Sequence, residues 1–316
     1  MQKKLILLCL LLLFNLSVGF AMDEVTEEAI EPIIEENIPS QRIPVLMYHH
    51  LLPESMLVDE AFNAAIISFE SFKEQMKWLH ESGWTALSLE DFHQAMTSQD
   101  PLPEKSFVLT FDDGYASNLF FAFPTLNRYG FPAAEFIITA NLEEDTRKWD
   151  GKKLSWKDAQ AISKIFSIQS HSHSFHQMED GQPLLSIRSQ EEIKADLDFA
   201  WQEIDRHIEP GLRAFAYPYG VWSEAAIHVL KEQNVQLAFT TKEGYASKDS
   251  DPLLIPRFSI TPSVTMDDFK AIFEPELHNF QELDNSEESI DKEASHADSP
   301  IDEQAVESDD PENTVE

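Results

Sequence analysis

The stretch from Phe107 to Thr139, FVLTFDDGYASNLFFAFPTLNRYGFPAAEFIIT, decides the fold. Phe107 to Phe111 is a short apolar run suited to a buried strand. A helix is predicted from about Leu119 to Tyr129, stopped by Gly130, and Ala134 to Thr139 supplies the next strand. A strand, a helix and another strand in immediate succession make a crossover unit, which sets its two strands parallel.

The same grammar extends in both directions. Upstream, Pro44 to Tyr48 reads as a strand, followed by a helix with Phe69, Phe72, Met76 and Leu79 on one face and Gly83 at its close. Thr85 to Leu87 is a further extended segment, and a short helix is entered through Ser88 with Asp91 three residues on. Downstream, helices are predicted around Lys157 to Ser163, over Gln190 to Ile208 and over Ser223 to Gln233. They alternate with strands at Ile165 to Gln169, Arg213 to Tyr217, Leu237 to Thr240 and Ile255 to Ile260. The pattern predicts an α/β fold with about seven parallel strands in a distorted (β/α) barrel, an open sheet being the other arrangement it allows. In both, chemistry belongs at the carboxyl ends of the strands.

The ends of the chain have a different character. Lys3 and Lys4, the apolar run Leu5 to Leu16, and the small residues Gly19 and Ala21 have the layout of a signal peptide over residues 1–21. That run is shorter than the ~20 residues a spanning helix needs, so cleavage and export are expected, with no transmembrane span afterwards. The single cysteine, Cys9, lies inside the apolar run and leaves no internal disulfide. Residues 22–40 carry seven acids and no base, and residues 274–316 carry sixteen acids against Lys292. Both segments are expected to be disordered, an acidic linker and an acidic tail around one domain at residues 41–273. The formal net charge of −34 argues against nucleic acid or an anionic membrane as partner. It attracts a cationic partner, such as a partly deacetylated amino-sugar polymer, or simply keeps the protein solvated.

Four strand ends carry the chemistry. Asp112-Asp113-Gly114-Tyr115 follows the strand that opens the quoted stretch. Adjacent side chains diverge there, so one carboxylate can bind a metal while the other takes a proton from water. Ser170-His171-Ser172-His173-Ser174-Phe175-His176 follows another apolar strand. His171, His176 and one Asp would form a two-histidine, one-carboxylate set with open coordination positions, which leaves His173 out. Tyr217-Pro218-Tyr219-Gly220 is a turn able to aim a backbone N–H at an oxyanion. Met47-Tyr48-His49-His50 ends the first strand, and alternation allows only one of its two histidines to face the interior.

Together these segments resemble the polysaccharide deacetylase family, also called NodB-homology or carbohydrate esterase family four, over about Pro44 to Ile260. The resemblance implies Asp112 as catalytic base, Asp113, His171 and His176 as metal ligands, and the Tyr219 N–H as oxyanion donor. The histidine at the fifth position after His171, and the Tyr-His strand of Val45 to His49, are similar to the branch acting on poly-β-1,6-N-acetylglucosamine. In that branch the early histidine is the general acid, which selects His49; His278 and His296 lie in the acidic tail. Ala216 stands where many members have an arginine that pairs with the base, a place Arg213 or Arg257 would have to fill.

The expected function is thus metal-dependent removal of N-acetyl groups from an extracellular or cell-wall polysaccharide, most closely poly-β-1,6-N-acetylglucosamine. The expected cofactor is a divalent ion, Zn2+ first, with Co2+, Ni2+ and Fe2+ suiting the same ligands. Tyr48, Tyr115, Phe175, Tyr217 and Trp222 are candidates to line a sugar groove. The alternatives are a deacetylase of peptidoglycan or chitin-like chains, an O-acetyl esterase, and a glycan-binding member of the fold without turnover.

Overall fold

The computed structural model describes residues 42–59, 63–143 and 152–274. The expected signal peptide, the acidic linker and nearly all of the acidic tail lie outside them. Among the described residues no helix is long and apolar enough to cross a membrane.

Seven parallel strands form the framework: β1 (Ile43–Tyr48), β2 (Ser106–Asp112), β3 (Ala133–Ile137), β4 (Phe166–Ser170), β5 (Ala214–Ala216), β6 (Leu237–Phe239) and β7 (Phe258–Ser259). The hydrogen-bonded order runs β6, β5, β4, β3, β2, β1, with β7 on the far side of β1. A single parallel bridge, Phe239 to Ile255, links β6 to the segment that leads into β7, so the ring is distorted at this seam. The expected strand Ile255 to Ile260 shrinks to two residues because Pro256 has no N–H to donate and Arg257 turns its N–H to Lys242 O.

The connecting helices are α1 (Phe69–Glu81), α2 (Leu89–Thr97), α3 (Phe123–Tyr129), α4 (Trp156–Ile162), α5 (Gln190–His207), α6 (Glu224–Glu232) and α7 (Met266–Phe273). Their starts follow from local chemistry. Ser68, Ser88, Ser155, Ser189 and Ser223 each accept a backbone N–H of the first turn, and Ser155 and Ser189 form reciprocal capping boxes with Asp158 and Glu192. The helix predicted from Leu119 begins as a π-helical turn, Asn118–Ala122, before α3. Helix α7 was not foreseen, although Thr265 and Asp268 form a capping box at its start. Its Phe273 packs edge-on against Trp84 and Phe107, tying the end of the domain to β2. Short extended segments depart from the parallel pattern: Tyr245–Ala246 runs antiparallel to the start of β1, and Met178–Glu179 pairs antiparallel with Gln182–Pro183.

Alternation along the strands divides the apolar residues into two clusters. Ile43, Val45, Val108, Ala134, Phe136, Ala214, Ala216 and Phe239 face the inside of the ring, together with Phe92 of α2. Leu46, Tyr48, Leu109, Phe111, Ile137, Ile168, Phe215 and Tyr217 face the surrounding helices. The parallel register brings Tyr48, Phe111 and Glu135 level across β1 to β3, and Ile137, Ser170 and Phe215 level across β3 to β5. Residues just past these strand ends therefore gather at one rim.

Candidate active site

Three of the rim turns hold a residue in the left-handed region: Asp113 at φ 74°, Ser172 at 75° and Tyr219 at 59°. Each costs on the order of 1–3 kcal/mol and persists only where its surroundings hold it. The glycines beside two of them have steric causes as well. A Cβ on Gly114 would meet Ile137 Cγ2 at 3.1 Å, and one on Gly220 would sit 2.0 Å from Thr241 Oγ1. The turns thus press directly on neighbouring strand ends.

Asp113, His171 and His176 converge. Asp113 Oδ1 lies 3.5 Å from His171 Nε2 and 3.3 Å from His176 Nε2. One ligand atom from each of the three falls within 4.8 Å of the others. His171 Nδ1 is 2.7 Å from Ala216 O, and because a carbonyl only accepts, Nδ1 carries the proton and Nε2 presents its lone pair. Burial holds the His171 ring down to about 4, so it is neutral at physiological pH. Asp113 Oδ1 is buried with no hydrogen-bond partner. The lone pair of His171 Nε2 and the unpartnered Asp113 Oδ1 face each other without a donor between them, with His176 Nε2 alongside, and a divalent cation resolves that repulsion. The donor set therefore fits a metal with open positions.

Asp112 points into the ring beside this cluster. Arg257 Nη1 donates to its Oδ1 at 2.8 Å and Nη2 to its Oδ2 at 2.7 Å, while Nε is spent on Thr240 O. Burial alone would raise this carboxyl, but the Arg257 charge and hydrogen bonds, with smaller help from His171 and His49, hold it down at about 2. The arginine missing at Ala216 is thus supplied from the β7 seam. Arg213 does not fill that place; it pairs with Asp205 and lies over the Trp201 ring.

The two histidines after β1 part ways. His49 follows the inward alternation and feels Asp112, Asp113, Arg257 and Lys153, although burial is the largest influence and lowers it. His50 turns outward, stacks on Tyr115 at 4.5 Å and places Nδ1 2.7 Å from Ser117 Oγ. His173 takes no part in the convergence. Its ring meets Thr139 Oγ1 at 2.9 Å and packs against Phe199.

The proposed groove aromatics divide. Tyr48 and Tyr217 are fully buried in the outer core, with hydroxyls donated to Gln75 Oε1 and Leu253 O, so they cannot line a groove. They occupy outward-facing strand positions, the reason the expectation fails. Phe175 packs against the same core. Trp222 and Tyr219 are exposed at the rim, and the Tyr219 ring lies 4.6 Å from His176. Tyr115 is partly exposed beside Asp113, and burial, with the Asp113 charge adding to it, pushes its hydroxyl up to about 12.

Sequence reasoning missed Asp196, Glu135 and Lys153. Asp196 accepts the N–H groups of His173 and Ser174 and the Ser174 hydroxyl, anchoring the loop between His171 and His176. The signal was an acid on the buried stripe Ile193, Leu197, Ala200 and Ile204 of α5. Glu135, a lone acid in the apolar run of β3, is fully buried; Asn118 donates to both its oxygens, and burial raises it well above the usual carboxylate range. Lys153 lies beside Asp113 Oδ2 at 3.7 Å, a place nothing in its local sequence marks.

Residues 99–238 match the polysaccharide deacetylase family. Over those residues the chain carries a polysaccharide deacetylase domain of the NodB-homology, carbohydrate esterase family four class. It is 27% identical over 198 residues to a poly-beta-1,6-N-acetyl-D-glucosamine N-deacetylase of Staphylococcus epidermidis, covering 62% of this chain and 68% of the relative. Its fold is shared with the Streptococcus pyogenes deacetylase PplD (TM-score 0.64, 23% identity, 74% of this chain and 99% of that one). IcaB from Ammonifex degensii shares it equally (TM-score 0.64, 23% identity, 74% and 98%).

Proposed function

We propose that the protein is an exported, metal-dependent N-deacetylase of an acetylated amino-sugar polysaccharide, with poly-β-1,6-N-acetylglucosamine as its substrate. The observation that carries this reading is the meeting at one rim of Asp112 paired with Arg257, the Asp113, His171 and His176 cluster, and inward-facing His49. Asp113, His171 and His176 would hold a divalent ion, Zn2+ or a relative of it, and the ion supplies Lewis acidity to water and carbonyl. Asp112, ionised at neutral pH, accepts the proton of the attacking water, while Arg257 fixes the carboxylate that receives it. The turn at Tyr219 offers its backbone N–H to the oxyanion. His49 returns a proton to the departing amine nitrogen, which would otherwise leave as a poor anion. Trp222 stands exposed at the rim, where a sugar ring can stack.

The choice of poly-β-1,6-N-acetylglucosamine rests on the activity for which the Staphylococcus epidermidis relative is named and on the Tyr48-His49 strand end. Acetate release, measured with and without added metal across β-1,6- and β-1,4-linked acetylated glucosamine oligomers, peptidoglycan fragments and O-acetylated glycans, tests it. Fastest release from the β-1,6 oligomer is expected. Preference for a β-1,4 chain would reassign the substrate, and no metal-dependent release from any of them would overturn the reading.

A further inference from the structure

The two oxygens of Asp113 have separate surroundings. Oδ1 faces the imidazoles of His171 and His176. Oδ2 faces the Lys153 ammonium at 3.7 Å. Lys153 is itself held in place. Its ammonium lies 3.3 Å above the centre of the Tyr115 ring, and that ring is stacked on His50, which is pinned by Ser117. The backbone is fixed as well: Tyr115 and Lys153 form an antiparallel bridge, Ala116 N–H donates to Lys152 O, and Leu154 N–H donates to Gly114 O. Residues 152–154 are thus laced along the turn that carries Asp113, and Lys153 lies only 17% exposed in its side chain. Glu135, buried on β3, is a second carboxylate in the field of Lys153.

We infer that Lys153 is a positioning residue: braced on the Tyr115 ring, it holds Asp113 Oδ2 so that Oδ1 alone is turned toward the imidazoles as the ligand oxygen. The inference rests on the metal reading given above. Its physical basis is that Asp113 sits in a left-handed turn and has a carboxylate free to rotate about one bond, so an outer partner must select the orientation. The ammonium does so as a point charge braced by a π-face, and a neighbour of equal length without charge cannot.

The test is cobalt affinity of the purified full chain, titrated for wild type, Lys153→Met, Lys153→Arg and His171→Ala, with thermal melting of the metal-free forms alongside. Lys153→Met keeps the stem over Tyr115 and removes the charge. Its cobalt dissociation constant is expected to rise about tenfold or more, as loss of an outer partner typically does. Lys153→Arg should restore most of the affinity, and the metal-free melting points should stay close to wild type. Wild-type affinity in Lys153→Met overturns the inference. So does a loss that Lys153→Arg fails to relieve, or one explained by an equal drop in metal-free stability. Cobalt binding absent from wild type, or intact in His171→Ala, would instead bring down the metal reading and the inference with it.

Discussion

Arg257 and Asp112 lie 145 positions apart in the chain and meet in a two-pronged ion pair of 2.8 and 2.7 Å, with Arg257 wholly buried. Such a pair contributes less by its own attraction than by what either partner costs when left alone in the interior. Arg257→Gln strips a buried carboxylate of its main counter-charge, and burial then drives Asp112 upward. A loss of ~3–5 kcal/mol of stability at neutral pH is expected. The sign follows from linkage: Asp112 is depressed to about 2, so in wild type the stabilisation is full above ~3.9 and fades as pH falls toward the folded value. Urea unfolding of the metal-free proteins at pH 7 and near pH 3 measures both quantities. A deficit that stays constant over that range would detach the pair from Asp112 ionisation.

His171→Ala and His176→Ala should each lose metal retention while keeping the secondary structure, because each removes one of three converging donors and neither ring carries the core. Elemental analysis of dialysed protein, with circular dichroism, checks this. Full metal content in either variant would place the ion elsewhere.

Asp112→Asn keeps the shape of the side chain and the metal cluster intact but ends proton acceptance. Deacetylation should fall by a factor of order 10² or more with metal content unchanged. Turnover close to wild type would move the base to another group.

The two neighbouring histidines should differ in kind. His49→Ala is expected to lose ~10²-fold in amide hydrolysis and less on an activated acetate ester, whose leaving group departs unaided. His50→Ala should retain the chemistry but lose stability through its Ser117 hydrogen bond and Tyr115 stack, by roughly 1–3 kcal/mol. Burial lowers His50 to about 4, so it stabilises the fold fully above ~6.5 and progressively less as pH falls toward about 4. The variant's deficit should therefore shrink across that window. A catalytic defect confined to His50→Ala would reverse the assignment.

Asp196→Ala leaves the partly buried N–H groups of His173 and Ser174 without their acceptor, at an expected cost of ~1–3 kcal/mol. Because the same loop carries His171 and His176, metal affinity should weaken with it. Equal metal affinity in the variant, measured by the same cobalt titration, would show that the loop holds its shape without this anchor.

Much of the fold was legible because it is written in local patterns. The apolar runs Phe107 to Phe111 and Ala134 to Thr139, and the Ser caps ahead of the helices, depend on neighbours within a few residues. Motif positions were legible for a related reason: a parallel strand end followed by a turn puts Asp112, Asp113, His171 and Tyr219 at one rim whatever the packing. Side-chain direction was less secure. Alternation separated His49 from His50, yet Tyr48 and Tyr217 were given to a groove although the same alternation turns them to the outer core.

The order of strands and helices, the rim on which chemistry gathers and the residue types available there all follow from local patterns in the chain. That Arg257, rather than Arg213, neutralises Asp112, that Lys153 lies behind Asp113, and that Asp196 holds the histidine loop is seen only once the chain is folded. The reason is range. Periodicity, capping and turn chemistry act over a few residues, whereas a charge finds its partner through space, between segments that closure of the ring brings together.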